Sequence, residues 1–131
     1  MNNQTAKADA GKPKLTSVPR QIIYDIAEVR EYGNRKYGNP ENWKTVEIER
    51  YRDAAFRHFM AYLDNPQGVD EESGINHLKH LATNIAFLCE MEEAERKRIK
   101  EILEEERCQT NIATSTSYQA KDYCGGVSLV N

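Results

Sequence analysis

Two adjacent stretches decide the fold, TVEIERYRDAAFRHFMAYL (residues 45–63) and SGINHLKHLATNIAFLCEME (residues 73–92). In each stretch apolar residues recur at spacings of three and four, which predicts an amphipathic helix. Upstream, Ile22, Ile23, Ile26, Val29 and Tyr32 form a similar stripe, which predicts a helix over residues 18–36. We therefore expect an all-α fold, a small bundle of three main helices.

Local signals set the expected ends of these helices. Ser17 with Pro19 in the first turn could cap the first helix, and Thr45 could cap the second. Asn39-Pro40 and Asn65-Pro66 should each end a helix. The second and third helices should bury their apolar stripes, and Cys89 should be a small core residue of the third.

Composition divides the chain into three segments. Residues 1–17, rich in Gly, Lys, Pro and Asn, should form an N-terminal arm, and residues 18–107 the helical domain. From about residue 90 that domain becomes a charged helical extension, EMEEAERKRIKEILEEER, supported by opposite charges four residues apart. Residues 108–131, rich in Thr, Ser and Gly, have no helical pattern and should form a flexible tail.

Charge and hydropathy exclude several classes of protein. The 131 residues carry a net charge of -3, and the mean hydropathy is -0.79. We expect one soluble domain with no bulk nucleic-acid binding. No apolar run approaches the roughly 20 residues that span a bilayer, and the N-terminus lacks a secretory signal. Three cysteines without a CxxC spacing indicate a reducing, cytoplasmic setting.

Polar groups on the apolar helices are the main functional signal. His77, His80 and Asn84 recur at i, i+3 and i+7, so they share one stripe of the third helix. On the second helix Glu49 and Asp53 are four apart, and His58 follows about a turn later. If the two helices pack antiparallel, these stripes can face each other across a cleft, as metal-binding bundles arrange their ligands.

The residue types allow two kinds of chemistry at such a cleft. Carboxylates are the ligands that Mg²⁺ and Mn²⁺ prefer, and imidazoles suit a transition metal or a general base. A purely structural alternative stays open, because single histidines are often surface residues or core residues whose hydrogen bonds are satisfied. Glu49 and Asp53 could also belong to a solvated face, paired with the neighbouring arginines.

The turn YGNRKYGNPENW (residues 32–43) places Tyr37 and the sole tryptophan, Trp43, beside Lys36 and amide groups. Such a set could hold a nucleobase and a phosphate. The alternative is that both aromatic rings cover the end of the bundle.

Four motifs carry a resemblance to a known family. They are DAGKPKL (residues 9–15), YGNRKYGNPENW (32–43), RDAAFRH (52–58) and DEESGINHLKHLATN (70–84). Over about residues 7–92 the chain resembles a phage family described as the N-terminal domain of dATP/dGTP diphosphohydrolases. That family is related to the MazG-like all-α nucleotide pyrophosphatases.

The resemblance implies an all-α bundle that forms a homodimer or larger homo-oligomer. It implies hydrolysis of purine deoxynucleoside triphosphates to monophosphate and pyrophosphate with Mg²⁺ or Mn²⁺, in the host cytoplasm if the protein is phage-encoded. MazG-like enzymes hold the ions with ExxE on one helix and ExxD on the next. This chain departs from that pattern, since it has His77-x-x-His80 on the third helix and Glu49, Asp53 and His58 on the second.

Candidate roles follow from the motifs and the resemblance together. We expect catalytic groups at Asp53, His58 and Glu71, and metal ligands at Glu49, Asp53, Asp70, His77 and His80. We expect substrate-binding groups at Lys12, Lys14, Lys36, Tyr37, Trp43 and Asn84.

Two rival functions remain open. The same fold could bind a nucleotide-derived signal without cleaving it, as phage counter-defence proteins do. It could also be an interaction module built on the charged helix at residues 90–107.

Overall fold

The computed structural model describes residues 7–124, with side chains described as far as Tyr118. Three α-helices follow one another, α1 (Gln21–Tyr37), α2 (Ile48–Asp64) and α3 (His77–Cys124), and short 3-10 helices lie at Leu15–Ser17 and Asn42–Thr45. Within the described residues the only β pairing is an isolated bridge between Val69 and Asn76. The expected all-α class is confirmed.

The helix ends differ in part from the sequence-based predictions. The Ser17 hydroxyl donates to the Lys14 carbonyl, 2.6 Å away, inside a 3-10 turn, and α1 begins only at Gln21. Thr45 likewise donates to the Asn42 carbonyl at 2.9 Å, and α2 begins at Ile48. Both capping predictions were wrong because each helix begins three or more residues further on, where the N-cap residues are Arg20 and Glu47.

The predicted breaks are confirmed. α1 ends at Gly38, whose φ of 74° is left-handed and whose N–H donates to the Asn34 carbonyl at 2.9 Å. Glycine suits this position because a left-handed backbone costs it little. α2 ends at Asp64, directly before Asn65-Pro66.

The chain divides into two compact units, Met1–Phe87 and Leu88–Asn131. In the first unit, Lys79 of α3 pairs with Glu28 of α1 at 2.5 Å. Between α2 and α3, His58 faces His80 and Tyr51 faces Phe87. Because earlier residues of α2 meet later residues of α3, these two helices are antiparallel, which is the condition under which the two polar stripes can face each other.

The core of this unit is smaller than the apolar stripes predicted. Among the described residues only Val29, Ala55 and Ile75 are buried apolar residues, and Thr83 is also buried. Other stripe residues are exposed, namely Ile22, Ile23, Phe59, Leu63, Leu78 and Ile85. The prediction that these residues are core was wrong because the helices carry apolar side chains on more than one face.

One apolar face of α2 points to solvent. Phe56, Phe59, Met60 and Leu63, spaced i, i+3, i+4 and i+7, are 65%, 43%, 51% and 61% exposed. We call these four residues the outer stripe. They are centred about a quarter turn round α2 from buried Ala55, so the apolar surface of α2 extends beyond the part that is covered within this chain.

The second unit is the remainder of α3. The predicted charged extension is confirmed by ion pairs one turn apart, such as Arg96–Glu93 at 3.1 Å and Arg98–Glu95 at 2.9 Å. Cys89 is exposed, so the prediction that it is a core residue was wrong.

α3 continues beyond the charged segment to Cys124, where the sequence showed no helical pattern. Hydroxyls return to the helix backbone here, since Thr110, Thr114 and Thr116 each donate at 2.9 Å to a carbonyl four residues earlier. The prediction of a segment without helix was therefore wrong as far as Cys124. Residues 125–131 lie outside the described residues, and the flexibility of the tail stays a prediction. No helix in residues 7–124 is both long and apolar enough to cross a membrane.

Candidate functional site

A cleft of about 590 Å³ opens in the first unit, between the three helices and the two connecting loops. Its volume falls within the range of sites for small molecules, about 300–1,000 Å³. Its charged and imidazole walls are Arg30, Lys36, Arg50, Asp53, Arg57, His58, Asp70, Glu72 and His80. Its aromatic and amide walls are Tyr32, Asn34, Tyr37, Asn39, Asn42, Trp43, Tyr51, Asn84 and Phe87.

All the histidines of the protein meet beside this cleft. The ring of His58 stacks on that of His80, with centroids 4.7 Å apart and planes 10° apart. The Nδ1 atoms of His58 and His77 are 3.0 Å apart, so one ring donates and the other accepts. We call His58, His77 and His80 the histidine cluster. Its assembly follows from the i,i+3 spacing on α3, which turns His77 and His80 toward α2.

Burial and crowding keep two histidines of the cluster, His58 and His80, uncharged. Burial, followed by the nearby rings of His80 and His77, lowers the pKa of His58 to about 4 from an ordinary value of 6.5. Burial also lowers the pKa of His80, although Asp70 opposes the shift. Both imidazoles are therefore neutral at pH 7, which leaves each with one N–H donor and one lone pair.

The loop before α3 ties Asp70 to this cluster. One carboxylate oxygen of Asp70, Oδ2, accepts the Ser73 N–H at 3.0 Å and the Ser73 hydroxyl at 2.9 Å. Partial burial works to raise the pKa of Asp70, but the two hydrogen bonds outweigh it and the net shift is downward. The Ser73 oxygen also lies 2.7 Å from Nε2 of His80.

An aromatic cluster closes one end of the cleft. Trp43 stacks on Phe87 with centroids 4.9 Å apart, and the Tyr51 hydroxyl donates to the Trp43 carbonyl at 2.8 Å. The Arg30 guanidinium lies 5.2 Å from the centre of the Phe87 ring. One face of Trp43 therefore covers the end of the bundle, which is one of the two alternatives that the sequence left open. Stacking of a nucleobase on Trp43 or Tyr37 stays a prediction.

Most predicted residues line this cleft, but some lie elsewhere. Those on its walls are Lys36, Tyr37, Trp43, Asp53, His58, Asp70, His80 and Asn84, and those outside its lining are Lys12, Lys14, Glu49, Glu71 and His77. Glu49 pairs with Arg52 on the exposed side of α2, and His77 reaches the site only through His58. Lys12, Lys14 and Glu71 are exposed.

The cleft also has residues that the sequence analysis did not select. Arg50 and Arg57 line it together with Asp53, and their i, i+3, i+7 spacing along α2 could have revealed a charged stripe. Arg30 and Phe87 could not be found this way, because they come from different helices and meet only in the folded chain.

Two cationic groups of the cleft already have partners in the chain. Lys36, in the last turn of α1, pairs with Glu72 in the loop before α3, and this hydrogen bond, with Tyr37 next to it, raises the pKa of Lys36 above its ordinary value. Arg30 donates to the Pro40 carbonyl at 2.5 Å. These contacts connect the turn after α1 to the rest of the cleft.

The fit of a metal ion depends on how the ligand atoms are arranged. Within the described residues no three His, Cys, Asp or Glu side chains come together as metal ligands do. Asp53, however, lines the cleft with no hydrogen bond or ion pair to any other described residue. Mg²⁺ commonly takes only one or two carboxylates and completes its shell with water and substrate phosphates. The chain therefore fits an ion that arrives with its phosphates better than a preformed all-protein site.

Comparison with known proteins places the chain in a family. The model of the family described as "dATP/dGTP diphosphohydrolase, N-terminal" matches residues 2–101. The chain belongs to this family. It is also similar to a protein of Salmonella phage PMBT28 named dATP/dGTP diphosphohydrolase, with 34% identity over 82 residues.

That alignment covers 63% of this chain and 28% of the relative, so the chain matches little more than a quarter of the relative's length. No solved structure matches the chain. The family resemblance expected from the four motifs is thus confirmed, and the relation to MazG-like enzymes stays a prediction.

Proposed function

We propose that this chain is a metal-dependent nucleotide diphosphohydrolase that converts purine deoxynucleoside triphosphates to monophosphate and pyrophosphate. One observation carries the proposal. A cleft of nucleotide size gathers cations, aromatic rings and an unengaged carboxylate, in a family described by this activity.

The cations and the aromatic rings would bind different parts of the nucleotide. Arg50 and Arg57, two turns apart on α2, both line the cleft, and planar guanidinium groups pair well with phosphate oxygens. Lys36 and Tyr37 lie at the other rim, where an ammonium group and an aromatic ring lie 5.0 Å apart. We assign the triphosphate to the arginines and the base to the rim of Tyr37 and Trp43.

Asp53 is the residue best suited to hold Mg²⁺ or Mn²⁺, because it lines the cleft and makes no hydrogen bond or ion pair to another described residue. When bound, the ion supplies neutralisation of charge on the phosphates and a more acidic water. A neutral imidazole of the cluster, His58 or His80, would accept a proton from the attacking water. Glu71, which is exposed, keeps its catalytic role only as a prediction.

We further propose that the chain acts as a homo-oligomer in the cytoplasm of the host. The outer stripe of α2 exposes four large apolar side chains, while the first unit buries only Val29, Ala55 and Ile75 as apolar core among its described residues. A unit of this size with so little core needs additional burial to be stable. A second copy of the chain would supply it.

The test is a product assay on the purified protein. A panel of ribo- and deoxynucleoside triphosphates is incubated with Mg²⁺ or Mn²⁺, and the products are separated by ion-exchange chromatography. We expect monophosphate and pyrophosphate from dATP and dGTP, and no turnover in EDTA. An intact panel with both metals would refute hydrolysis of these substrates.

A second candidate function has one observation in its favour. Because no three metal-ligating side chains gather among the described residues, the cleft could instead capture a nucleotide-derived signal without cleaving it. Such a binder would hold its ligand in EDTA and release it unchanged on denaturation. An enzyme would release products, so the same chromatography separates the two functions.

A further inference from the structure

Ser73 is the most fully engaged hydroxyl of the site, although neither the motifs nor the family description gives it a role. Its oxygen lies 2.9 Å from Oδ2 of Asp70 and 2.7 Å from Nε2 of His80. It also accepts the N–H of Ile75 at 3.2 Å. The side chains of Asp70 and His80 are only 28% and 12% exposed, so the contacts are sheltered from water.

The directions of these hydrogen bonds can be worked out from the number of protons. A serine hydroxyl has one proton to donate, and an ionised carboxylate can only accept. Asp70 is ionised at pH 7, so the Ser73 proton must point to Asp70. The other arrangement would set two unprotonated oxygens 2.9 Å apart. Nε2 of His80 must therefore be the donor in its contact with Ser73, and its proton sits on Nε2.

We propose that Ser73 is a positioning residue that, together with Asp70, locks His80 in the Nε2–H tautomer, so that Nδ1 is the proton acceptor that His80 offers to the cleft. The ring is also held from the side, because His58 stacks on it. Within the described residues, no hydrogen bond engages Nδ1 of His80, and His80 lines the cleft. A fixed tautomer and a fixed ring plane are what an orienting partner gives to a catalytic imidazole.

This arrangement assigns a single proton transfer, to Nδ1 of His80. A water or substrate proton moves to Nδ1, and the resulting imidazolium keeps its Nε2–H bond to the Ser73 oxygen. The Ser73 hydroxyl in turn points to the Asp70 carboxylate, whose negative charge stabilises the imidazolium through one intervening group. No proton needs to leave Nε2, so the hydroxyl only transmits orientation and charge. The catalytic use of Nδ1 depends on the proposed hydrolase function, whereas the tautomer does not.

The tautomer can be measured directly on the full chain without substrate. Long-range ¹H–¹⁵N correlation spectra separate ring nitrogens that carry a proton from those that carry a lone pair, and the chain has only 3 histidines. A His80→Gln variant assigns the ring. We expect the protonated signal of His80 at Nε2 in the wild-type chain. A protonated Nδ1, or a mixture of tautomers, would overturn the proposal.

Substitutions at Ser73 then test the cause. Ser73→Ala should release His80 into a mixture of tautomers, whereas Ser73→Thr keeps a hydroxyl and should retain the wild-type spectrum. Ser17→Ala is the matched control, because its hydroxyl bonds the Lys14 carbonyl in an exposed turn, and it should leave the ring signals unchanged. An unaltered His80 spectrum in Ser73→Ala would also refute the proposal.

Kinetics connect the tautomer to turnover. We expect Ser73→Ala to lower kcat for dATP or dGTP about 10- to 100-fold with little change in KM, and Ser73→Thr to restore most of it. If the chain hydrolyses nothing but His80 shows the fixed tautomer, the hydrolase function fails and the positioning role stands. If the chain is active while Ser73→Ala keeps full kcat, the positioning role fails and the hydrolase function stands.

Discussion

The imidazole of His58 lies beside those of His77 and His80, and this position makes the stability of the folded chain depend on pH. Burial and the neighbouring rings lower the pKa of His58 to about 4 in the folded chain, against 6.5 ordinarily. Between these values the unfolded chain binds a proton that the folded chain does not. The free energy of unfolding is therefore at its full value above pH 6.5 and falls as the pH drops toward 4.

We expect this residue alone to cost about 2 kcal/mol of stability between pH 7.5 and 4.5, less than the full shift because the ring is only half-buried. Thermal melts across that range should show the loss, and His58→Gln should show a shallower slope. A wild-type melting temperature independent of pH over this window would contradict the low pKa.

Lys36 tests the binding role of the rim. Replacing it by Met removes a cation from the cleft wall while keeping an aliphatic side chain, and we expect KM for a nucleoside triphosphate to rise about 5- to 10-fold. Lys97→Met is the control, because Lys97 pairs with Glu93 in the second unit and lies outside the cleft lining. Equal KM values for the two variants would show that Lys36 does not contact substrate.

The sequence predicted some site residues and not others, for a physical reason. The histidine cluster was predictable because His77 and His80 share a helix face and His58 lies on the next helix. Ser73 was not, since its role depends on a loop turn that places its oxygen between Asp70 and His80. The periodicity of apolar and polar residues predicts which side chains share one face of a helix. It cannot predict a contact made by a loop residue, because loops have no repeating geometry.

The exposed outer stripe of helix α2 leads to a prediction about assembly. Met60 lies in the middle of the outer stripe, so Met60→Lys should place a charge in the proposed interface. We expect a smaller species by size-exclusion chromatography with light scattering. Asp64→Lys, at the exposed end of the same helix, should keep the wild-type mass. A Met60→Lys chain with unchanged mass would show that this face is not the contact between copies.

Helix α3 shows where periodicity fails at the level of an element. Its charged segment was predictable from opposite charges four residues apart, of which Lys97 and Glu93 pair at 3.8 Å, and further pairs form at a spacing of three. The Thr- and Ser-rich segment after it was not, because these residues have low helix propensity and no apolar stripe. Their hydroxyls donate to carbonyls of the preceding turn instead, a local bond that a search for apolar stripes does not detect.

At the scale of the whole molecule, the antiparallel pairing of α2 and α3 creates the cleft. It brings arginines and Asp53 from one helix opposite His80 and Asn84 from the other, and the last turn of α1 adds Lys36 and Tyr37. The sequence predicted this juxtaposition conditionally, from the antiparallel packing of two polar stripes. It could not predict how few apolar side chains the first unit would bury. An apolar stripe shows that a helix face can be buried, but it does not show whether that face packs within the same chain or against another one.

The most direct measurement of the central claim is a phosphorus NMR time course of dGTP hydrolysis in Mg²⁺ by the wild-type chain, Asp53→Asn and Asp64→Asn. We predict that the wild-type chain and Asp64→Asn release dGMP and pyrophosphate at similar rates. Asp53→Asn should be slower by about 100-fold or more, because an amide is a poor ligand for Mg²⁺. Full activity in Asp53→Asn would place the chemistry outside this cleft, and unchanged dGTP with the wild-type chain would contradict the hydrolase function for this substrate.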